Sequence, residues 1–398
     1  MFTQPVTLFK VFGFDIRLDA SWLLLAVLVT WSLAVGFFPQ MRPGLSPGIY
    51  WSMGVIGLIG LAASILLHEL AHALVARRYD LPIRSITLFL FGGVAELREE
   101  PRSPSSEFLV ALAGPVMSFA LAGLLWLSAQ AIGAGVGQGA GQGAGQGAGD
   151  LLGVVAGYLA TINLLLATFN LVPAYPLDGG RMLRAALWGW KRDIVWATRI
   201  ASLLGSGFGV LLIVLGLMNV LQGSFLAGMW WFLIGMFVRG ASSMALQQTV
   251  AREVLSGRPV SAFMRREPVA VDPGTTVDRL VSDYVYRHYY KSFPVVSGDR
   301  LLGWVVIDDV KEVPREEWGR AVVEGLMRPA TEENTITSGE DVGVALDRMR
   351  QSGLSRLLVV DGGRLVGVLS LKDLIGYLQI ARDLGDRRPP APRRSAGA

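Results

Sequence analysis

The chain has 398 residues, of which 52% are hydrophobic and only 17% are charged, against roughly 25% charged in an average soluble domain. It contains no cysteine, which excludes a disulfide framework, a thiol redox site and thiolate-bound zinc. The net charge of +4 comes with many Lys and Arg residues that flank apolar segments, so nucleic acid is not an expected partner. Charges are sparse between Trp22 and Leu246 and mix normally from Arg252 onward. The sequence therefore predicts a membrane-embedded body, residues 1–250, followed by a soluble part.

Six stretches are apolar enough and long enough to cross about 30 Å of hydrocarbon as helices. They are residues 21–39, 51–76, 108–132, 151–172, 195–220 and 225–246. The first begins late and no small-residue cleavage site follows it, so we interpret it as an anchor and not as a signal peptide. The predicted fold class is a polytopic α-helical membrane protein.

Basic residues predict how the chain is oriented in the membrane. They follow the second and fourth spans, as Arg77, Arg78, Arg84, Arg98, Arg102, Arg181, Arg184, Lys191 and Arg192. The other connections carry only Arg42 and Asp150. Because cytoplasmic loops carry the excess of Lys and Arg, we expect both termini and the soluble part in the cytoplasm, at the plasma membrane. The Gly-rich tract 133–149 is typical of a flexible external linker.

The second span contains the motif H-E-L-A-H at 68–72. Helix positions four apart lie on one face about a turn apart, so His68 and His72 can bind one metal ion. Glu69 then lies beside the open coordination position, where it can take a proton from water. Ionisable groups inside a membrane helix are costly unless they are paired or ligated. The cluster therefore predicts a zinc site more strongly than a polar contact between helices.

Two histidines leave zinc short of a third protein ligand. The remaining histidine, His288, lies in the soluble part, where a surface or core role is expected. Asp178 is the better candidate, because Pro173 and Pro176 break the helix after the fourth span and the chain can turn back toward the bundle. The two glycines after Asp178 are expected to supply permissive dihedrals. A solvated turn or a helix cap is the alternative for this aspartate.

Three motifs resemble the site-2 protease family of intramembrane metalloproteases. They are H-E-L-A-H at 68–72, A-G-P-V-M-S at 113–118 and N-L-V-P-A-Y-P-L-D-G at 170–179. The resemblance covers nearly the whole chain and points to the branch with six spans and C-terminal CBS domains.

This resemblance implies roles for individual residues. By it, one zinc ion is bound by His68, His72 and Asp178, and Glu69 is the general base. Asn170 matches a family asparagine that stabilises the oxyanion or orients substrate. The alternative for Asn170 is an amide that satisfies the free carbonyls of the broken helix.

Residues 83–97 are β-rich and too short for a helical crossing, and Gly92 and Gly93 mark a turn or a close backbone approach. The family is similar here, with a membrane-associated hairpin. An open strand edge beside the catalytic face could pair with an unwound substrate by strand addition. A purely structural hairpin is the alternative.

The soluble part contains an internal repeat, in which the segment 295–303 recurs at 359–367. Each unit runs helix, strand, turn, strand, helix and resembles a CBS motif, so an α/β CBS pair is expected. The predicted boundaries are 252–315 for the first repeat, 320–382 for the second and 386–398 for a disordered, Pro/Arg-rich tail.

Pairs of CBS motifs often bind adenine nucleotides such as ATP or AMP. The second unit carries the family's ribose and phosphate signature, G-V-L-S-L-K-D at 367–373, which makes Ser370 and Asp373 the candidate ligand-binding residues. The first unit has Val306 where a Ser or Thr is expected, which puts its cleft in doubt. A structural or homodimerising module is the alternative.

The sequence therefore predicts a zinc-dependent endopeptidase that cleaves single-span transmembrane proteins in or beside the lipid bilayer, with CBS domains that modulate its activity. The alternative from another class is a CBS-regulated transporter or channel, which would need ionisable groups along a path across the whole bilayer. Here they cluster at one depth, which favours hydrolysis. A catalytically inactive scaffold is not favoured, because Glu69 is present.

Overall fold

The computed structural model describes residues 5–81, 83–90, 92–97, 101, 103–139 and 148–383. The chain divides into two compact units, Met1–Thr249 and Val250–Ala398. Two predictions fall outside the described residues, namely the middle of the Gly-rich linker, 140–147, and the disordered tail, 386–398.

The chain up to the last long apolar helix consists of two β-hairpins and a set of helices. In order, the elements are β1 Val6–Val11, β2 Phe14–Leu18, α1 Ser21–Trp31, a π-helical turn Ser32–Phe37, α2 Phe38–Met41, α3 Pro47–Arg78, β3 Ile83–Phe89, β4 Gly92–Leu97, α4 Pro104–Gly139, α5 Ala148–Asn170, α6 Asp178–Lys191, α7 Ile194–Leu221 and α8 Phe225–Leu255.

In the described part of the chain, six helical segments are long and apolar enough to cross a membrane, as hydropathy predicts. They are Ser21–Met41, Pro47–Arg78, Pro104–Ile132, Gly149–Asn170, Ile194–Leu221 and Ala227–Leu255. The prediction of a flexible linker over 133–149 is wrong at both ends, because α4 continues to Gly139 and α5 begins at Ala148. Nucleation is the costly step of helix formation, so a helix already formed by the apolar span can continue into these residues, although each glycine costs about 0.5–1 kcal/mol relative to alanine.

The two hairpins form one four-stranded sheet in the order β1-β2-β3-β4. The predicted hairpin pairs β3 with β4 antiparallel, and β2 pairs with β3 in parallel. The first hairpin, which the sequence analysis did not predict, packs Phe14 and Ile16 with Ile86 against Leu70 and Ala73 of α3. The sheet therefore lies against the part of α3 that carries the H-E-L-A-H motif.

The second unit contains the two repeats. Its helices and strands are β5 Arg265–Arg266, α9 Val277–Arg279, a π-helical turn Leu280–Val285, α10 Tyr286–His288, β6 Ser292–Ser297, β7 Arg300–Val306, α11 Ile307–Val310, β8 Arg328–Pro329, β9 Thr335–Ile336, α12 Val342–Ser352, β10 Arg356–Asp361, β11 Arg364–Ser370 and α13 Leu371–Asp383.

The two repeats share one sheet, in which β6, β7, β11, β10 and β9 follow one another. Strand β5 of the first repeat pairs with β11 of the second, and β8 of the second pairs with β7 of the first. Each repeat is thus completed by a short strand from the other. The repeats differ at their last helix, because α11 has only 4 residues whereas α13 has 13.

Candidate metal centre

Three buried side chains bring their ligand atoms together. His68 and His72 lie one turn apart on α3, and their Nε2 atoms are 3.2 Å apart. The Oδ2 atom of Asp178, the first residue of α6, lies 3.1 Å from Nε2 of His68 and 3.2 Å from Nε2 of His72. All three residues are more than nine-tenths buried. Among the described residues they form the one group of His, Asp or Glu side chains with metal-binding geometry.

Helix α4 forms a hydrogen bond with the Nδ1 atom of each imidazole ring, on the side away from the ligand atoms. Nδ1 of His72 lies 2.6 Å from the carbonyl oxygen of Val110, and Nδ1 of His68 lies 2.8 Å from Oγ of Ser118. A carbonyl can only accept, so Nδ1 of His72 carries the proton and its Nε2 presents a lone pair to the centre. Such outer hydrogen bonds fix the tautomer and the ring orientation of metal-binding histidines.

The backbone of α4 comes unusually close to the two rings. A Cβ atom built on Gly114 would lie 2.5 Å from Nε2 of His68 and nearer still to Nε2 of His72. Real Cβ atoms essentially never show contacts under 3.0 Å, so any residue other than glycine here would force the two rings to move. The next residue, Pro115, lacks an N–H group and cannot bond to the carbonyl of Ala111 inside the helix.

Asp178 reaches the histidines because the chain unwinds between α5 and α6, as Pro173 and Pro176 predict. The expected reason for Gly179 and Gly180 is wrong, because both are helical. They are needed for close approach. Cβ atoms at these positions would lie under 3.0 Å from the backbone of residues 171–175.

Two hydrogen bonds of the Tyr175 backbone hold the unwound segment in place. Its N–H donates to the carbonyl of Ala201 in α7 over 3.3 Å, and its carbonyl accepts from Oγ of Ser242 in α8. The start of α6 is therefore held against two further helices.

The candidate base lies beside the centre. Glu69 is half-buried on α3, and Gly93 of β4 lies against it, since a Cβ there would be 3.1 Å from Oε1 and closer to Cγ. The backbone of the predicted hairpin thus covers the glutamate. Asn170 is the last residue of α5 and is half-buried, and its side chain makes no hydrogen bond to another described residue.

The predicted nucleotide residues lie together in the second unit. Oγ of Ser370 donates to Oδ2 of Asp373 over 2.7 Å, and Arg265 pairs with the same carboxylate through Nε at 3.0 Å and Nη2 at 2.8 Å. Burial alone would raise the pKa of Asp373, but the hydrogen bonds from Arg265 and Ser370 outweigh it and lower that pKa.

The first repeat shows the same ion pair without the hydroxyl. Arg328 binds Asp309 through Nε at 2.9 Å and Nη2 at 2.5 Å, and Val306 occupies the position equivalent to Ser370. Sequence reasoning missed both arginines, although each belongs to a Met-Arg pair that recurs between the repeats. His288 is not a member of the metal group, and it stacks on Tyr290 with ring centroids 6.0 Å apart.

Known protein families match both units of the chain. A family model described as "Peptidase family M50" matches residues 56–215, and the CBS domain model matches 260–316 and 323–380. The protein named "Putative zinc metalloprotease Rip3" of Mycobacterium tuberculosis is 33% identical over 381 residues, which cover 95% of this chain and 94% of that protein. This chain belongs to the M50 family, the site-2 proteases. The predicted resemblance is confirmed.

Two further similar proteins match most or part of the chain. Protein sll0528 of Synechocystis, with the same zinc metalloprotease description, is 34% identical over 374 residues and covers 93% of this chain and 94% of its own. A solved structure, "Site-2 Protease from Methanocaldococcus jannaschii", is 26% identical, covers 61% of this chain and 95% of its own, and has a TM-score of 0.42. The M50 protein described here is thus a multi-pass membrane zinc metalloendopeptidase with two CBS domains, which sets aside the transporter alternative.

Proposed function

We propose that this M50 protein is an intramembrane endopeptidase that cleaves single-span transmembrane proteins, with one zinc ion held by His68, His72 and Asp178. The observation that carries the proposal is the buried triangle of ligand atoms, with sides of 3.1–3.2 Å. Glu69 lies next to this triangle on the same helix.

The residues fit zinc in several respects. Ligands in a tetrahedral zinc site with bonds of about 2.0–2.1 Å are separated by about 3.3 Å, close to the sides of this triangle. Two imidazoles and one carboxylate are a typical catalytic ligand set, which leaves a fourth position for water or substrate. Gly114 keeps the space beside the two Nε2 atoms free of a side chain.

Zinc in this site supplies Lewis acidity, which activates water and polarises a carbonyl oxygen. The Glu69 carboxylate accepts the proton from the attacking water and passes it to the leaving amide nitrogen. Asn170 is proposed to donate a hydrogen bond to the developing oxyanion, from the end of α5. Ser118 and the Val110 carbonyl hold the imidazoles in position throughout.

The surroundings support a substrate that lies in the membrane. His68 and His72 are carried on an apolar helix of 32 residues that is long enough to span a bilayer. A peptide bond must leave its helix before a base can reach it. Among the described strands, β4 is at the edge of the sheet and lies against Glu69, so an extended segment can add to it by strand pairing. The basic segments favour a cytoplasmic location for the soluble unit, at the plasma membrane.

The test is a cleavage assay on the purified full chain in proteoliposomes with candidate single-span substrates. We expect one zinc ion per chain, cleavage in or beside the substrate's apolar segment, and loss of activity on chelation that zinc restores. Mass spectrometry of the products identifies the cut bond. Undiminished cleavage by metal-free protein would rule out the proposed chemistry.

We also propose that an adenine nucleotide binds the cleft of Ser370 and Asp373 and modulates proteolysis. A carboxylate accepts hydrogen bonds well, so Asp373 suits the ribose hydroxyls, and Ser370 supplies a nearby hydroxyl. Because Arg265 occupies both carboxylate oxygens, a ribose has to displace it, and the freed guanidinium can then pair with phosphate. Nucleotide changes activity only if it binds two states of the protein with different affinity.

A further inference from the structure

Glu107 and Arg184 form a buried ion pair between two helices of the membrane unit. The Glu107 side chain is fully buried near the start of α4, and Arg184 of α6 is 5% exposed. Nε of Arg184 donates to Oε1 of Glu107 over 2.6 Å, and Nη2 contacts the same oxygen. The pair thus joins α4 to α6 by charge-assisted hydrogen bonds.

Each of these two helices contributes to the metal centre, α4 through a hydrogen bond to a histidine and α6 through Asp178. Glu107 lies one helical turn before Val110, whose carbonyl accepts the hydrogen bond from Nδ1 of His72. Arg184 lies on the same short helix as Asp178, six residues further along. The ion pair therefore connects the turn that orients a histidine to the helix that presents the aspartate.

Arg184 also contacts the unwound segment that precedes α6. Its guanidinium carbon lies 5.1 Å from the centroid of the Tyr175 ring. The backbone of Tyr175 is bonded in turn to Ala201 and Ser242. One side chain thus links α4, α6 and the segment that brings Asp178 to the histidines.

A buried ion pair is a poor source of stability. Desolvation of both charges offsets most of their attraction, and replacement by apolar side chains of similar volume is often neutral or stabilising. The guanidinium instead constrains geometry, because its rigid fork of N–H groups fixes the relative position of the groups it contacts. Here the guanidinium fixes the position of α6, which carries Asp178, relative to α4, which bonds to His72.

We propose that Glu107 and Arg184 are positioning residues that set where the Asp178 carboxylate lies relative to His68 and His72, and thereby set metal affinity and coordination geometry. The proposal rests on the proposed function, since it takes these three residues as the metal ligands. Neither residue of the pair belongs to the group of candidate metal ligands.

The decisive variant replaces both charges with apolar side chains, Glu107→Leu with Arg184→Met, in the full-length protein. Arg42→Gln with Asp150→Asn is the control, because it removes another ion pair of the same unit that includes no candidate metal ligand and none of the groups bonded to the two histidines. Zinc affinity is measured by chelator competition, and the ligand geometry by the visible absorption of the Co²⁺-loaded protein. Arg184→Lys, which keeps the charge but not the fork, is measured alongside in case the apolar pair fails to fold.

We expect the apolar pair to fold and to bind zinc at least about tenfold more weakly, with a changed Co²⁺ spectrum, as is typical of lost outer-shell contacts. Arg184→Lys should change the spectrum in the same direction, and the control should match the wild type. A wild-type spectrum and affinity in both Arg184 variants would overturn the positioning role alone. A wild-type protein that binds no metal would overturn the proposed function itself, and this role with it.

Discussion

The α-carbon of Gly114 lies so close to His72 that a Cβ atom built on it would approach Nε2 of that ring to less than 3.0 Å. The same atom would lie 2.5 Å from Nε2 of His68. The backbone of α4 is therefore part of the wall of the metal centre, and a single methyl group there competes with the ligand atoms for space.

Gly114→Ala should abolish zinc binding or reduce zinc affinity by at least about tenfold, because the rings must move to admit the methyl group. Gly123→Ala is the matched control, since it lies on the same helix and a Cβ there has no neighbour within 4 Å. Zinc content after dialysis against a weak chelator measures the difference. Equal zinc content in the two variants would show that the rings do not lie over Gly114.

Ser118→Ala should weaken zinc binding by about 10–100-fold, because Nδ1 of His68 loses its hydrogen-bond partner and the ring loses its orientation. Ser128→Ala, on the same helix, removes an exposed hydroxyl that donates to the carbonyl of Leu124 and should have no effect. Chelator competition gives both affinities. A Ser118→Ala protein with wild-type affinity would remove the serine from the support of the centre.

Asp178→Ala should lower zinc occupancy, since two imidazoles alone leave the ion short of a protein ligand. Asp150→Ala removes an aspartate near the start of α5 that pairs with Arg42, and should keep full occupancy. Elemental analysis of both purified variants tests the assignment. It fails if the two variants carry as much zinc as the wild type.

Asp373→Ala should abolish nucleotide binding, because the ribose loses its acceptor. Asp309→Ala is the control, since Asp309 makes the equivalent pair with Arg328 in the cleft that has Val306 in place of the serine. Calorimetry of the full-length protein with ATP or AMP measures binding, and the cleavage assay measures its effect. No heat with the wild type at millimolar nucleotide would leave the CBS pair as a structural or dimerising module.

Features that depend on local sequence periodicity could be predicted. The six apolar helices follow from hydropathy, and the pairing of His68 with His72 follows from helical spacing. The internal repeat of the second unit likewise predicts its two strand hairpins. The broken helix before Asp178 was predicted from Pro173 and Pro176 because proline acts on its own neighbourhood.

What could not be predicted depends on contacts between distant segments. Ser118 and Gly114 meet the histidines across two helices, and only the folded structure brings them together. Glu107 and Arg184 are separated by 77 positions, and each alone is typical of a charged residue near a membrane boundary. The first hairpin was missed because its parallel pairing with β3 depends on a distant segment of the chain.

The central claim is that Glu69 is the general base of a zinc-dependent hydrolysis, and a variant that loses this base but keeps the metal tests it most directly. Zinc content and cleavage rate are measured together on Glu69→Gln, which keeps the size of the side chain but cannot accept the proton. We predict full zinc occupancy and cleavage reduced by at least about a hundredfold. A Glu69→Gln protein that binds zinc and cleaves at a rate near that of the wild type would contradict the mechanism proposed for this centre.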